Sequence, residues 1–200
     1  MAEVSLKRPE KALAVVTIEG TAPLIVHAWS KKAREMMLAS QQGKKVAKEI
    51  KDPAADFAAS QYRFPDGRHG FPTMAFKSAT VKGGGRAFGK AVKMTELRQH
   101  LTFMPDGHGT DGLPLTALDC AEPTMREDMV RVGMGTADIR YRAMYEKWQA
   151  IVVVQFLPNV IDLGSIVALI DAGGNNGIGE WRPEKNGSFG TYQVIEEVQQ

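Results

Sequence analysis

The stretch Ile139-Arg140-Tyr141-Arg142-Ala143-Met144-Tyr145-Glu146-Lys147-Trp148-Gln149-Ala150-Ile151-Val152-Val153-Val154-Gln155-Phe156 carries the strongest β signal in the chain. Its aromatic and β-branched residues favour extended backbone. The apolar half is continuous rather than alternating, which predicts a central strand buried on both faces. Leu157-Pro158-Asn159 ends it. Asp162 or Ser165 then caps a helix carrying Ile166, Val167, Leu169 and Ile170, stopped by Gly173-Gly174. A glycine-rich segment follows, and Thr191-Tyr192-Gln193-Val194-Ile195 reads as the last strand.

Toward the N-terminus, Met129-Val130-Arg131-Val132-Gly133 is a further strand. Residues 96 to 120 hold a flexible loop at Pro105 to Gly112, with apolar flanks that suit a hairpin or strand pair. Pro72 and Thr73 open a helix that runs to Phe88, with Met74, Ala75, Ala79 and Val81 on its apolar face. Gly83-Gly84-Gly85 weakens that helix by roughly 1 kcal/mol per glycine relative to alanine, so it either ends there or something packs closely against it. Residues 43 to 71 are polar, with a short helix at Pro53 to Ser60 and a strand at Tyr62 to Phe64 before the Pro65-Asp66-Gly67 turn. Ser30 caps a helix reaching about Gln42, and residues 11 to 20 alternate as a strand closed by Gly20.

The core order is strand, helix, strand, strand, helix, strand. That is an α+β chain with a ferredoxin-like βαββαβ core, as in RNA-recognition domains, and loop insertions at about 43–71 and 96–128. Right-handed crossovers place both helices on one face of the sheet and leave the other open. RNA-recognition domains use that open face. With 200 residues and 44% hydrophobic content, the chain suits a single domain. Its net charge of +2 is mild for a non-specific duplex binder but compatible with a local groove for a single strand. Cys120 is the only cysteine, which excludes an internal disulfide and a cysteine-based metal cluster. The polar opening Met1 to Pro9 does not resemble a signal peptide, and the longest apolar run, Ala150 to Val154, is too short to span a bilayer. A soluble, cytoplasmic protein is expected.

The glycine-rich segment, Gly173 to Gly190, interleaves its glycines with Trp181, Arg182, Lys185 and Phe189. Glycine lets backbone approach a ligand, cations meet phosphates, and exposed rings stack on bases. Lys77, Lys82 and Arg86 lie on the 72–88 helix, where Lys82 and Arg86 share a face. Arg131, Arg140 and Arg142 lie on or beside strands, the last two on one face by alternation. The candidate nucleic-acid site is therefore Lys82, Arg86, Arg140, Arg142, Trp181, Arg182, Lys185 and Phe189. Lys44, Lys45, Lys48 and Lys51 read as a solvated face.

Two segments together resemble the RAMP superfamily, specifically the backbone subunits of CRISPR effector complexes. Gly70 to Arg86 is similar to that family's opening of the first core helix, with Lys82-Gly83 and Arg86 at matching positions. Gly177-Ile178-Gly179 through Gly187-Ser188-Phe189-Gly190 is similar to its glycine-rich loop before the last strand. The resemblance implies single-stranded RNA or DNA, RNA ahead of DNA, bound along the surface. It also implies head-to-tail copies in a filament-like homo-oligomer or a multi-subunit ribonucleoprotein. Residues 43–69 and the 104–112 loop would be the family's variable insertions. The three consecutive glycines and Glu180-Trp181-Arg182-Pro183 depart from the family pattern, so a phage or mobile-element relative fits as well as a CRISPR subunit.

Chemistry is less well marked. His69 and His108 read as exposed loop histidines, and His27 beside Trp29 as packing near a strand end. None of the four histidines, His100 included, has an adjacent partner pattern, so no catalytic residue is assigned. An RNA-cleaving relative would use His108 or a loop aspartate, Asp106 or Asp111. A phage structural protein would use the core only to build an oligomer. Asp106, His108 and Asp111 lack the oxygen-ligand spacing of a calcium loop, so no metal is assigned. The acids beside Cys120 raise its thiol pKa and argue against a nucleophile. Gly177-x-Gly179 follows a helix and lacks a third glycine, so it is no dinucleotide fingerprint and no cofactor is assigned.

Overall fold

The computed structural model describes residues 7–29, 31–44, 50–132 and 135–199. The expected cap Ser30, Lys45 and Lys48 of the basic cluster, and Gly133 lie outside the described residues. In chain order, β1 (Ala12–Gly20) and β2 (Leu24–Val26) precede α1 (Lys31–Gln41) and α2 (Pro53–Ala59). β3 (Gly70–Pro72) leads into α3 (Thr73–Ala79), a π turn at Thr80–Gly84 and the short α4 (Gly85–Ala87). After α5 (Met94–His100) come four short strands, β4 (Thr102–Met104), β5 (Gly107–His108), β6 (Pro114–Ala117) and β7 (Asp119–Cys120). Three long strands follow, β8 (Thr124–Val132), β9 (Thr136–Tyr145) and β10 (Trp148–Phe156). The chain closes with α6 (Leu163–Asn176) and β11 (Tyr192–Gln199).

The fold is mixed α and β, with three antiparallel sheets among the described residues. The main sheet runs β11-β1-β10-β4, and β7 also pairs with β10. In the chain, α3 and α4 lie between β1 and β4, and α6 lies between β10 and β11. Both helical segments bury Phe76, Ala79, Ile166, Leu169 and Ile170 against Ala14, Val16 and Ile18 of β1 and Val152 and Val154 of β10. Val15 and Val153, which pair directly, belong to the opposite parity.

β10 is therefore covered on one face rather than both. Trp148, Ala150, Val152, Val154 and Phe156 are buried, whereas Ile151 is 54% exposed. An antiparallel sheet with helices on one side leaves the other wet, however apolar the sequence. That open face carries Val15, Val153, Met104 and Ile151 but, among the described residues, no aromatic ring. Base stacking on sheet aromatics, the RNA-recognition-domain mode, is not built into it.

The 139–156 signal divides at Glu146-Lys147 into two strands of different sheets. β9 leaves the main sheet and pairs with β2 and β8. β8 is also longer than the apolar pattern indicates, because Arg126, Glu127 and Asp128 occupy strand positions. On the first of the expected flanks of residues 96 to 120, α5 forms before the short strand β4. Leu97 and Leu101, four apart, are both buried, and Lys93 pairs with Glu96. Tyr62 to Phe64 is not a strand; an isolated Arg63–His69 bridge closes the turn.

The glycines do not stop the helices. α6 runs through Gly173-Gly174 and ends at Gly177, where φ is 71°. A Cβ on Gly84 would meet Leu169 at 2.8 Å, and one on Gly173 would meet Ala79 and Thr80 at 2.9 Å. The two helical segments touch backbone to backbone through these positions. This close approach accommodates the π turn, which adds a residue to the helix and brings Lys77 and Lys82 to one shallow groove.

A candidate nucleic-acid interface

The glycine loop is pinned before it presents anything. The Glu180 N–H donates to Ile25 O at 2.9 Å, Ile178 N–H to Gly190 O at 2.9 Å and Gly190 N–H to Pro23 O at 2.8 Å. Since β2 pairs with β9, these bonds seat the loop against the β8–β9 hairpin.

Asp128 is the hub of that contact. Its carboxylate accepts from Arg126 Nε at 2.8 Å, Arg142 Nη1 at 3.0 Å and the Trp181 indole N–H at 3.4 Å. Burial alone raises the Asp128 pKa, but the Arg126 and Arg142 bonds outweigh it and hold the carboxyl below its ordinary value. Arg142 also lies 3.6 Å from Glu180 and 6.0 Å from the Trp181 ring centre. Arg126 lies 5.0 Å from the Phe189 ring centre. Two aromatic rings of the loop thus rest on two guanidinium groups of the hairpin.

A second hub ties the loop to the core helix. Glu184 accepts from Arg182 Nε at 2.9 Å and lies 3.4 Å from Lys82 Nζ. Hydrogen bonds from Arg182, ahead of the opposing effect of burial, hold the Glu184 carboxyl below its usual range.

The eight sequence-predicted residues fall into distinct classes. Trp181, half exposed, and Phe189 present ring surface. Arg86 and Lys185 are exposed, and their side chains make no hydrogen bond or ion pair among the described residues. Lys82 and Arg182 are engaged by Glu184. Arg140 is half-buried, 3.4 Å from His27 and 3.8 Å from Asp138. Arg142, on the same face of β9, is only 4% exposed, so its charge organises Asp128 and Trp181 rather than meeting solvent.

Sequence reading missed Arg126, Asp128, Glu180 and Glu184. The signal available was the period-2 placement of Arg126 and Asp128 opposite Arg142 and Arg140, their register partners. It also missed a cleft of about 230 Å³ between the loop and the β3–α3 junction, lined by His27, Tyr62, Pro72, Asn176, Gly179 and Glu180 among others. Burial, then the charges of Arg142 and Arg140, pushes the His27 pKa down.

His69 corrects an expectation. It is buried, with Nδ1 2.8 Å from the Tyr145 hydroxyl and Nε2 3.2 Å from Glu122. Burial pushes the Tyr145 pKa up, and the Tyr145 and Glu122 contacts hold the imidazole. His108 is exposed as read. The loop acids serve the backbone: Asp106 accepts from Ala117 N–H at 2.7 Å, and Asp111 accepts from Leu113 N–H at 3.0 Å and pairs with Arg34. Burial, then Asp119 and Glu122, pushes the Cys120 thiol up to about 11. Among the described residues, no group of three or more His, Cys, Asp or Glu side chains is placed to hold a metal, and no helix is long and apolar enough to cross a membrane.

No family model matches the sequence, and no curated protein matches it. Solved structures do. A chain of the Type III-B Cmr-beta bound to cognate target RNA aligns at TM-score 0.51 and 8% identity, covering 94% of this chain and 60% of that one. Cmr6 from Pyrococcus furiosus aligns at TM-score 0.44 and 9% identity, covering 93% of this chain and 99% of that one. The chain thus spans 60% of the Cmr-beta chain's length. The resemblance to CRISPR effector subunits read in Gly70–Arg86 and the glycine loop is matched by a fold shared with a protein of a Cmr complex.

Proposed function

We propose that this chain binds single-stranded nucleic acid, RNA in preference to DNA, across the surface where the glycine loop meets the β8–β9 hairpin and the α3–α4 rim. Copies follow one another along the strand, or the chain serves as one protein of a multi-subunit ribonucleoprotein. The observation that carries this reading is the seating of Trp181 and Phe189 on Arg142 and Arg126, with two exposed cations unpaired among the described residues, Lys185, next to Glu184 in the chain, and Arg86, four residues past Lys82. Rings offer stacking faces that tolerate any base, and free cations offer phosphate contacts. The main-sheet order β11-β1-β10-β4, with one helical segment inside each crossover, supports a ferredoxin-like core. The neighbour aligned at TM-score 0.51 is a chain of a Cmr-beta structure bound to cognate target RNA.

In this reading the chain is a binder and not a nuclease. Asp106 and Asp111 are committed to backbone amides, and the His108 side chain makes no hydrogen bond or ion pair among the described residues. The test is a titration of labelled single strands, RNA and DNA, over a range of salt. RNA is expected to bind more tightly, with an affinity that falls as salt rises. The Arg86→Ala and Lys185→Ala changes each lower the log–log salt slope by about 0.7. A purified protein that carries no nucleic acid and shifts neither strand at low salt overturns the reading and leaves a structural assembly role in its place.

A further inference from the structure

We propose that the cleft between the glycine loop and the β3–α3 junction is a slot for a single guanine base of the bound strand. This rests on the strand-binding reading above and adds a base preference to it. The cleft holds about 230 Å³. That is below the ~300–1,000 Å³ of clefts for drug-sized ligands, so it suits one ring system. Its lining includes groups with flat surfaces, His27, Tyr62 and Pro72, together with Gly179. Unstacked bases in single-stranded RNA are held between such surfaces and read along their Watson–Crick edges.

The polar groups decide which base. Arg182 lines the cleft with its guanidinium anchored, because Nε and Nη2 bond Glu184 at 2.9 and 2.8 Å and Nη1 bonds Gly179 O at 2.7 Å; its two remaining N–H groups can only donate, so they cannot take up a donor edge of a base. Glu184 is in turn taken up by Arg182 and Lys82. Glu180 is the remaining carboxylate. Its side chain is 43% exposed, makes no hydrogen bond among the described residues and has only Arg142 as a distant ion partner at 3.6 Å. Its backbone is fixed by the bond to Ile25 O, and the residue lines the cleft. The charge of Glu180 acts on both walls, opposing the effect of burial on His27 and adding to it on Tyr62.

An ionised carboxylate only accepts hydrogen bonds, through two oxygens. Guanine is the base whose Watson–Crick edge presents two adjacent donors, N1–H and N2–H₂. Adenine and cytosine present one amino group beside an acceptor, and uracil one N–H between two acceptors. Asn176, also on the cleft, has a side-chain amide with no partner among the described residues and can donate to the guanine O6.

The experiment measures the affinity of the full chain for uridine 12-mers that carry one central G, A or C, and for the all-uridine strand. The G strand is expected to bind about tenfold more tightly than the others. Glu180→Gln should abolish that ratio, so that within the variant the G strand binds no more tightly than the all-uridine strand. Equal binding of all four strands by the wild-type chain, a comparison that does not depend on any variant folding, overturns the slot. So does a Glu180→Gln chain that keeps the preference. GMP that binds alone without any strand preference overturns the placement of the base on a strand. Failure of every strand to bind removes the strand-binding reading and the slot together.

Discussion

β9 and β10 follow one another across the Glu146-Lys147 turn, yet they are built for opposite purposes. β10 puts five consecutive alternate side chains into the core, from Trp148 to Phe156. β9 puts Arg142 into a network of charges shared with β8 and the glycine loop. Apolar burial is non-directional and spread over many contacts, so it defines a body. An ion hub is directional and loses its balance when one member goes. The body and the binding face therefore have different physical supports, and they should fail separately.

The largest effect is expected in the body. Trp148 donates to Ala22 O at 3.0 Å and packs edge-on against Tyr192. Trp148→Ala should cost about 3–5 kcal/mol, read as a fall in the urea midpoint that takes the whole chain with it. A loss confined to the hairpin would break the comparison.

Asp128→Ala comes next, at about 3 kcal/mol, the lower end for breaking a buried pair, because Glu180 remains beside Arg142. Hydrogen exchange should quicken at Ile178 and Phe189 before it quickens in β1 or β10. Equal acceleration everywhere would mean that hub and core are one unit.

Acid sharpens the same contrast with a smaller effect. The folded pKa of Asp128 lies below its unfolded value of about 3.9, so its stabilisation is complete above that pH and is lost as pH falls through the folded pKa. Loop amides should lose protection in that window in the wild-type chain, and Asp128→Asn should remove the pH dependence. A pH response that survives Asp128→Asn assigns it to another carboxylate. The smallest effect belongs to Lys185→Ala, expected within about 0.5 kcal/mol of wild type in stability while it still weakens strand affinity. A larger loss of stability would make Lys185 part of the fold.

The elements whose side chains follow one periodicity were legible from the sequence. β1, α2, α6, β11 and the helix beginning at Thr73 lie close to where their patterns put them. Trp181, Phe189, Lys185 and Arg86 could be picked out because rings and cations stand among glycines. What escaped depends on pairing across the chain. Arg142 looks like any exposed strand arginine until Asp128, fourteen residues earlier, is found opposite it. His69 looks like a loop histidine until Tyr145 and Glu122 close around it. Gly173-Gly174 looks like a stop until the π-turn helix is seen to need the space at Gly173 and Tyr192 of β11 the space at Gly174. Local pattern reports which face is apolar; it does not report which distant residue shares it.

Trp181 has one more consequence. Its φ of 52° puts a bulky non-glycine residue in the left-handed region, a conformation that costs on the order of 1–3 kcal/mol. The indole bond to Asp128, the Phe189 N–H on Trp181 O and the Arg142 guanidinium hold it there. That cost is met when the chain folds, not when a ligand arrives. The ring waits at a fixed angle, and an incoming base need not freeze it. The entropy that a mobile aromatic would surrender on contact has already been given up.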